Sequence, residues 1–206
     1  MVRTPRFAAE DFVEAAIGLV AEGGPSAATM ASIARAVGAP TGSLYHRFDS
    51  RAAVMGAMWA ALLDELAGIL APPLAAGRPA RAALALADWA AARPRPARAL
   101  LLADLDTVLD APPEGDTAAA IDAAEARIEA AFDACAARLG LGTDDAAGRA
   151  RLRFLVIDAP VAALRPALKA GRMPGPGERC LIEELVTLLP AAPGSDDETA
   201  LAEDAA

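Results

Sequence analysis

Residues 29–51 read TMASIARAVGAPTGSLYHRFDSR, and their pattern decides the fold of the N-terminal part of the chain. The stretch spells two short helices joined by a tight turn. Met30, Ile33, Ala34 and Val37 recur at helical spacing and make one apolar face. Thr29 stands where an N-cap belongs, and Gly38 where the left-handed residue beyond a helix end belongs. Ala39-Pro40-Thr41 restarts the chain, because proline fits the first turn of a helix and fixes its direction. The second helix, Thr41 to Arg47, is only about two turns long. Leu44 and Phe48 lie one turn apart and can pack inward. Thr41, Gly42, Ser43, Tyr45, His46 and Arg47 are left for other faces. A short polar helix held rigidly against a partner helix is what the major groove of DNA admits.

The run GAPTGSLYHRFDSR, residues 38–51, resembles the helix-turn-helix signature of the tetracycline-repressor (TetR) family, Gly-Val-Ser-x-Gly-x-Leu-Tyr-x-x-Phe-x-x-Lys. Matches fall at Gly38, Gly42, Leu44, Tyr45 and Phe48, and departures at Ala39, Pro40 and Arg51. Arg51 keeps a cation where the family has lysine. Pro40 removes the usual hydroxyl cap, so Thr41 is expected to take the capping role. The resemblance covers roughly residues 7 to 70. It implies an N-terminal three-helix DNA-binding domain over 7–52, joined by helix 4 to a C-terminal helical domain over 53–190 that binds a ligand and dimerises. It further implies a homodimeric one-component transcriptional regulator, a repressor released from a pseudo-palindromic double-stranded DNA operator by a small-molecule inducer. The DNA-binding set is then Thr29, Thr41, Gly42, Ser43, Tyr45, His46, Arg47 and Arg51. Tyr45 is expected on a phosphate, with a core tyrosine as the alternative. Arg47 either reads guanine by a bidentate contact or is an exposed charge. Arg51 opposes the dipole at the start of helix 4, a placement that suits a phosphate contact.

Composition agrees with an all-α chain. Its 206 residues are rich in Ala and Leu and poor in aromatics, and no apolar/polar alternation of strand length appears. No uncharged run exceeds twelve residues, so no membrane span is expected. MVRTPRFAAED at the start has no apolar core, which argues against a signal peptide. Two distant cysteines, Cys135 and Cys180, give no disulfide framework and fit a cytoplasmic protein. The net charge is −9. Residues 1–52 hold five arginines (3, 6, 35, 47, 51) and five acids (10, 11, 14, 22, 49), net zero, so the excess acid lies beyond them. Binding to DNA by one such neutral domain should be weak, and two domains on one dimer would compensate.

Helix 1 is expected from Ala8 to Glu22, stopped by Gly23-Gly24-Pro25. Ser50 caps a long helix 4 from Arg51 that Pro72-Pro73 should end. Further helices are expected over 79–93, 96–110, 116–139, 144–170 and 178–189, the fourth kinked at Pro160. The acidic tail over 191–206 reads as disordered. GRMPGPG at 171–177 is a Gly/Pro loop and no phosphate loop, since no strand precedes it.

Ligand-cavity candidates are Met55, Met58, Trp59, Leu62, Trp89, Asp104, Leu105, Val108 and Phe132, against the alternative that they are plain core. Asp88, Asp104 and Asp106 either face that cavity or, more commonly, a solvated surface. Leu181, Leu185 and Leu188 make one apolar face of the last helix, and Ile182, Val186 and Leu189 another. The resemblance implies that this helix and its predecessor pair with those of a second copy, giving Leu152, Leu155, Val156, Leu181, Ile182, Leu185, Val186 and Leu189 as interface candidates. The alternative is that both faces are internal. His46 is the lone histidine. Without a nucleophile beside it or further ligands at metal spacing, no catalytic residue, metal or cofactor is expected. The second functional reading is a helical interaction protein that has lost operator binding.

Overall fold

The computed structural model describes residues 7–189 apart from 104, 110 and 143, and leaves the side chains of 105 and 106 undescribed. The acidic tail expected over 191–206 lies outside the described residues. Every regular element among them is helical: α1 Ala9–Gly23, α2 Met30–Val37, α3 Thr41–Tyr45, α4 Arg51–Ala75, α5 Pro79–Ala92, α6 Pro94–Leu101, α7 Leu105–Val108, α8 Gly115–Arg138, α9 Ala146–Arg153, α10 Ala159–Lys169 and α11 Pro176–Val186. A 3₁₀ turn, Pro25–Ala27, links α1 to α2, and a π-helical segment, Phe154–Asp158, joins α9 to α10.

Local chemistry explains most of the boundaries. Asp11 accepts the Ala8 N–H at 2.8 Å and closes the start of α1. The Ser50 hydroxyl accepts the Ala53 N–H at 3.1 Å and starts α4. Several boundaries differ from the sequence reading. Helix α4 does not stop at Pro72-Pro73 but runs through both to Ala75. Their missing N–H groups fall in the last turn, where Ala76, Gly77 and Arg78 N–H donate to the carbonyls of Pro72, Leu74 and Pro73 and complete the end. The helix expected over 96–110 starts earlier, at Pro94, breaks at Leu102–Ala103, and resumes as the single turn α7. The helix expected over 144–170 is continuous in path, and it accommodates Pro160 by widening. The Ala159 N–H donates to the Phe154 carbonyl, five residues back, so the register has already loosened where Pro160 offers no donor.

One hydrophobic core runs from Phe12 in α1 to Ile182 in α11. Helix α4 is its axis, packed mainly on α8 and also on α5, α1 and α6. Gly56 permits the close approach of α8: a Cβ there would sit 3.0 Å from the Thr117 methyl. Among the described residues α4 alone is long and apolar enough to cross a membrane. Val54, Met58, Leu62 and Leu70 on it are fully buried in this core, and Asp64 and Glu65 interrupt it at mid-length. Helix α6 packs on α1 as well as on α5, so the three-helix head α1–α3 rests on the body at two places, α4 and α6.

Candidate nucleic-acid interface

The geometry of α2, the turn and α3 is fixed by short-range bonds. Thr29 and Ser32 cap each other reciprocally: the Ser32 N–H donates to the Thr29 hydroxyl at 3.1 Å, and the Thr29 N–H donates to the Ser32 hydroxyl at 2.8 Å. Buried Ser32 then donates to the Ala27 carbonyl at 2.6 Å, which ties α2 to the preceding turn. Ser32 carries no motif that marks it in the sequence beyond its place three residues after Thr29. At the other end Gly38 adopts φ +71°. Its N–H donates to the Arg35 carbonyl at 3.1 Å and that of Ala39 to the Ala34 carbonyl at 2.9 Å, the paired bonds of a Schellman end. Pro40 occupies the N-cap of α3. Thr41 is therefore the first helical residue and not the cap, and the Ser43 N–H is taken instead by the Pro40 carbonyl at 2.8 Å.

This frame drives Leu44 fully into the core and half-buries Phe48, while Thr41, Gly42, Tyr45, His46 and Arg47 stand exposed and Ser43 is half-buried. Helix α3 ends at Tyr45, with His46 and Arg47 in the turn that follows, shorter than the expected Thr41 to Arg47. Tyr45 is 52% exposed, which excludes the core-tyrosine alternative. Among the described residues the side chains of Thr41, Ser43, Tyr45 and His46 make no hydrogen bond to protein, so a row of donors and acceptors on one short helix is left for an external partner. The Thr29 hydroxyl is exposed but engaged with Ser32. Arg47 donates to the Phe7 carbonyl at 3.3 Å.

Arg51 departs from the expectation of a cation offered outward. Its Nε donates to the Ala28 carbonyl at 2.8 Å and its Nη2 to the Pro25 carbonyl at 2.6 Å. The guanidinium thus turns inward and braces the start of α4 against the α1–α2 connection. These carbonyls supply the negative partner that makes a cation tolerable at a helix N-terminus.

A second brace was not visible in the sequence. Arg98 of α6 donates its Nε to the Ala21 carbonyl near the end of α1 at 2.8 Å, and Arg95 pairs with Glu22 at 2.9 Å. A cavity of about 210 Å³ lies at this junction, lined by Val20, Ala21, Pro25, Arg98, Leu102 and Thr107 among others. Arginine partnered by a distant backbone carbonyl leaves no spacing signature in either segment.

Of the expected ligand-cavity set, Met55, Met58, Trp59, Leu62, Trp89, Val108 and Phe132 are all buried in the core. Asp104 lies outside the described residues, as does the side chain of Leu105. The Trp89 indole N–H is held by Glu65 at 2.8 Å. Phe132 also lines a cavity of about 190 Å³ between α8 and α9, whose rim carries Glu129, Asp133, Arg149 and Arg153. Asp88 is exposed and paired with Arg179, the solvated-surface alternative.

The interface set divides. Leu152, Leu155, Val156 and Ile182 are buried within the protomer, and the π segment that carries Leu155 and Val156 packs on α5, α10 and α11. Val186 and Leu189 pack partly against the same core. Leu181 and Leu188 remain about half exposed, with Phe154 and half-buried Leu185 beside them on α11 or the neighbouring π segment. Cys180 is exposed; Cys135 is buried, and burial pushes its thiol up to about 11.

Residues 12–58 match the family model for bacterial regulatory proteins of the tetR family. Solved structures of similar fold include the fatty acid degradation regulator FadR from Bacillus halodurans, 14% identical with a TM-score of 0.64, the alignment covering 88% of this chain and 97% of that one. FadR from Bacillus subtilis in complex with stearoyl-CoA is 14% identical with a TM-score of 0.65, covering 89% and 98%. The multidrug binding protein EbrR complexed with imidazole is 20% identical with a TM-score of 0.54, covering 93% and 100%. A comparison with curated proteins returns no match.

Proposed function

We propose that this chain, a member of the tetR family of bacterial regulatory proteins by its residues 12–58, is a homodimeric one-component transcriptional repressor that acts in the cytoplasm. The observation that carries this reading is α3: a short, core-anchored helix behind an α2 that is capped at both ends, whose outer side chains make no hydrogen bond within the described residues. In the free protein water satisfies these groups, and a polar partner such as DNA can replace that water without breaking any internal bond. Thr41, Gly42, Ser43, Tyr45 and His46 would meet base edges and phosphate in a major groove, with Arg47 at the margin. Two heads on a two-fold dimer would read a pseudo-palindrome with half-sites about one helical turn apart or a near multiple.

A small molecule held by the body would favour a dimer whose heads are wrongly spaced, lowering operator affinity by a coupling of about 1–3 kcal/mol. The inward Arg51 and the Arg98 brace support this, because both couple the head to elements of the body by direct hydrogen bonds. Long-chain acyl-CoA is the first inducer class to screen, since Bacillus subtilis FadR is solved with stearoyl-CoA.

The test is selection of bound fragments from a random DNA pool at about 0.15 M salt, where loose phosphate binding is screened. An enriched inverted repeat is the expected result. A folded dimer that enriches no common motif would end this reading in favour of the interaction protein, which the net-zero charge of residues 1–52 would then explain.

A further inference from the structure

We infer that the cavity between head and body is a binding site for a small apolar carboxylate, held by Arg98. It is distinct from an inducer site inside the body, and it does not depend on operator binding. The cavity has a volume of about 210 Å³. Val20 and Ala21 near the end of α1, and Pro25 in the 3₁₀ turn, wall it from the head. Leu102 and Ala103, at the break between α6 and α7, wall it from the body. The head wall is held in place, since Arg51 donates to the Pro25 carbonyl at 2.6 Å.

Arg98 supplies the polar group of this otherwise apolar site. It is half-buried, and its Nε donates to the Ala21 carbonyl at 2.8 Å. A Cβ at Gly171 would stand 2.9 Å from its Nη1, so the connection between α10 and α11 also packs against the guanidinium. The cation is thus positioned before any ligand arrives. Its neighbours Arg93 and Arg95 pair with Glu65 and Glu22, but among the described residues Arg98 pairs with no carboxylate, and a single carbonyl accepts from it. A guanidinium carries five N–H donors in a fork that matches the two oxygens of a carboxylate. Removing such a cation from water without a counter-charge is costly, and a carboxylate ligand would supply that charge. Glu22, the acid among the described lining residues, is already taken by Arg95 at 2.9 Å, which leaves the site net positive. At about 30 Å³ per water the volume holds roughly seven water-sized groups. That suits a single ring or a short chain and is too small for a long acyl chain.

The test is titration of the full-length protein, without DNA, with benzoate and hexanoate against benzamide and hexanamide, which keep the shape and lack the charge. Calorimetry should show the acids binding about tenfold more tightly than the amides, the worth of a charged hydrogen bond. R98Q should lose that preference. A103F, which fills the cavity and leaves Arg98 in place, should lose binding of both classes. Circular dichroism on the same samples reports whether each variant is folded, and A103F decides if R98Q is not. Methyl NMR should shift Val20 and Leu102 and leave Met58 and Leu62 in the core unmoved. Equal binding of acids and amides overturns the inference, as does full-strength binding by A103F. Acid binding that shifts Met58 and Leu62 instead moves the carboxylate into the body and also overturns it. So does the absence of binding by either acid up to about 10 mM, where even a weak site fills. Because the assay holds no DNA, failure of the operator reading would leave each of these outcomes unchanged.

Discussion

Arg51 and Tyr45 sit six residues apart in the same motif and do opposite work. Arg51 spends its donors on the Pro25 and Ala28 carbonyls, so R51A should reduce operator binding and thermal stability together. Tyr45 spends none, and it separates the two effects. Y45F removes one hydroxyl that has no internal partner. Its melting temperature should match that of the unaltered protein, while operator affinity falls about tenfold, the worth of one hydrogen bond to a charged group. Calorimetry and fluorescence anisotropy on the same samples would show it. An equal loss of stability would mean that the hydroxyl serves the fold. Cys135 gives a second residue-scale expectation. Its thiol is held up to about 11 by burial, so folding favours the neutral form. That contribution is complete below the ordinary cysteine range near pH 9 and is lost as pH rises through about 11. Denaturation midpoints should therefore fall over that interval, and less steeply in C135A. At pH 8 an alkylating reagent should label exposed Cys180 quickly and Cys135 only on unfolding.

At the scale of elements, the end of α2 is set by Gly38 at φ +71°. An L side chain there costs about 1–2 kcal/mol, so G38A should lower stability by that amount and misalign α3. A Gly38→Asn change should recover part of the loss, since asparagine tolerates this conformation. Chemical denaturation of the two variants checks the order. Elements of this kind were legible in the sequence because their causes are local: Thr29, Gly38 and Ser50 cap within three or four residues of themselves. Pro160 was legible as a distortion that the helix survives, though not the form it takes, a π segment. Pro72-Pro73 misled, because the sequence shows two missing donors and not the carbonyls of the last turn that receive other N–H groups. The Arg98–Ala21 bond was invisible for a different reason, as its acceptor is backbone. It now predicts that R98A keeps operator affinity within a few-fold but weakens the response to inducer, read as the shift in operator binding at saturating ligand.

At the scale of the whole molecule, the apolar face implied for a second copy is narrower than the sequence suggested. Every leucine at helical spacing on α11 looked equally available, yet Leu152, Leu155, Val156 and Ile182 are buried within the protomer. What remains is Leu181 and Leu188, about half exposed, with Leu185 between them on the same face and Phe154 nearby. Arg151 reaches the Leu188 carbonyl at 3.1 Å, and Phe154 lies three residues on, in the π segment that packs against α11. A stable dimer buries upward of about 1,000 Å², and charges at the centre of such a face are costly. L181D/L188D should therefore dissociate the dimer while leaving the protomer folded, because neither side chain fills the core. Light scattering should show the mass halved with helical content unchanged. Operator affinity should then fall by several orders of magnitude, since one neutral head binds weakly without its twin. A variant that remains dimeric would move the two-fold contact off α11, and with it the geometry by which a ligand in the body could set the spacing of the heads.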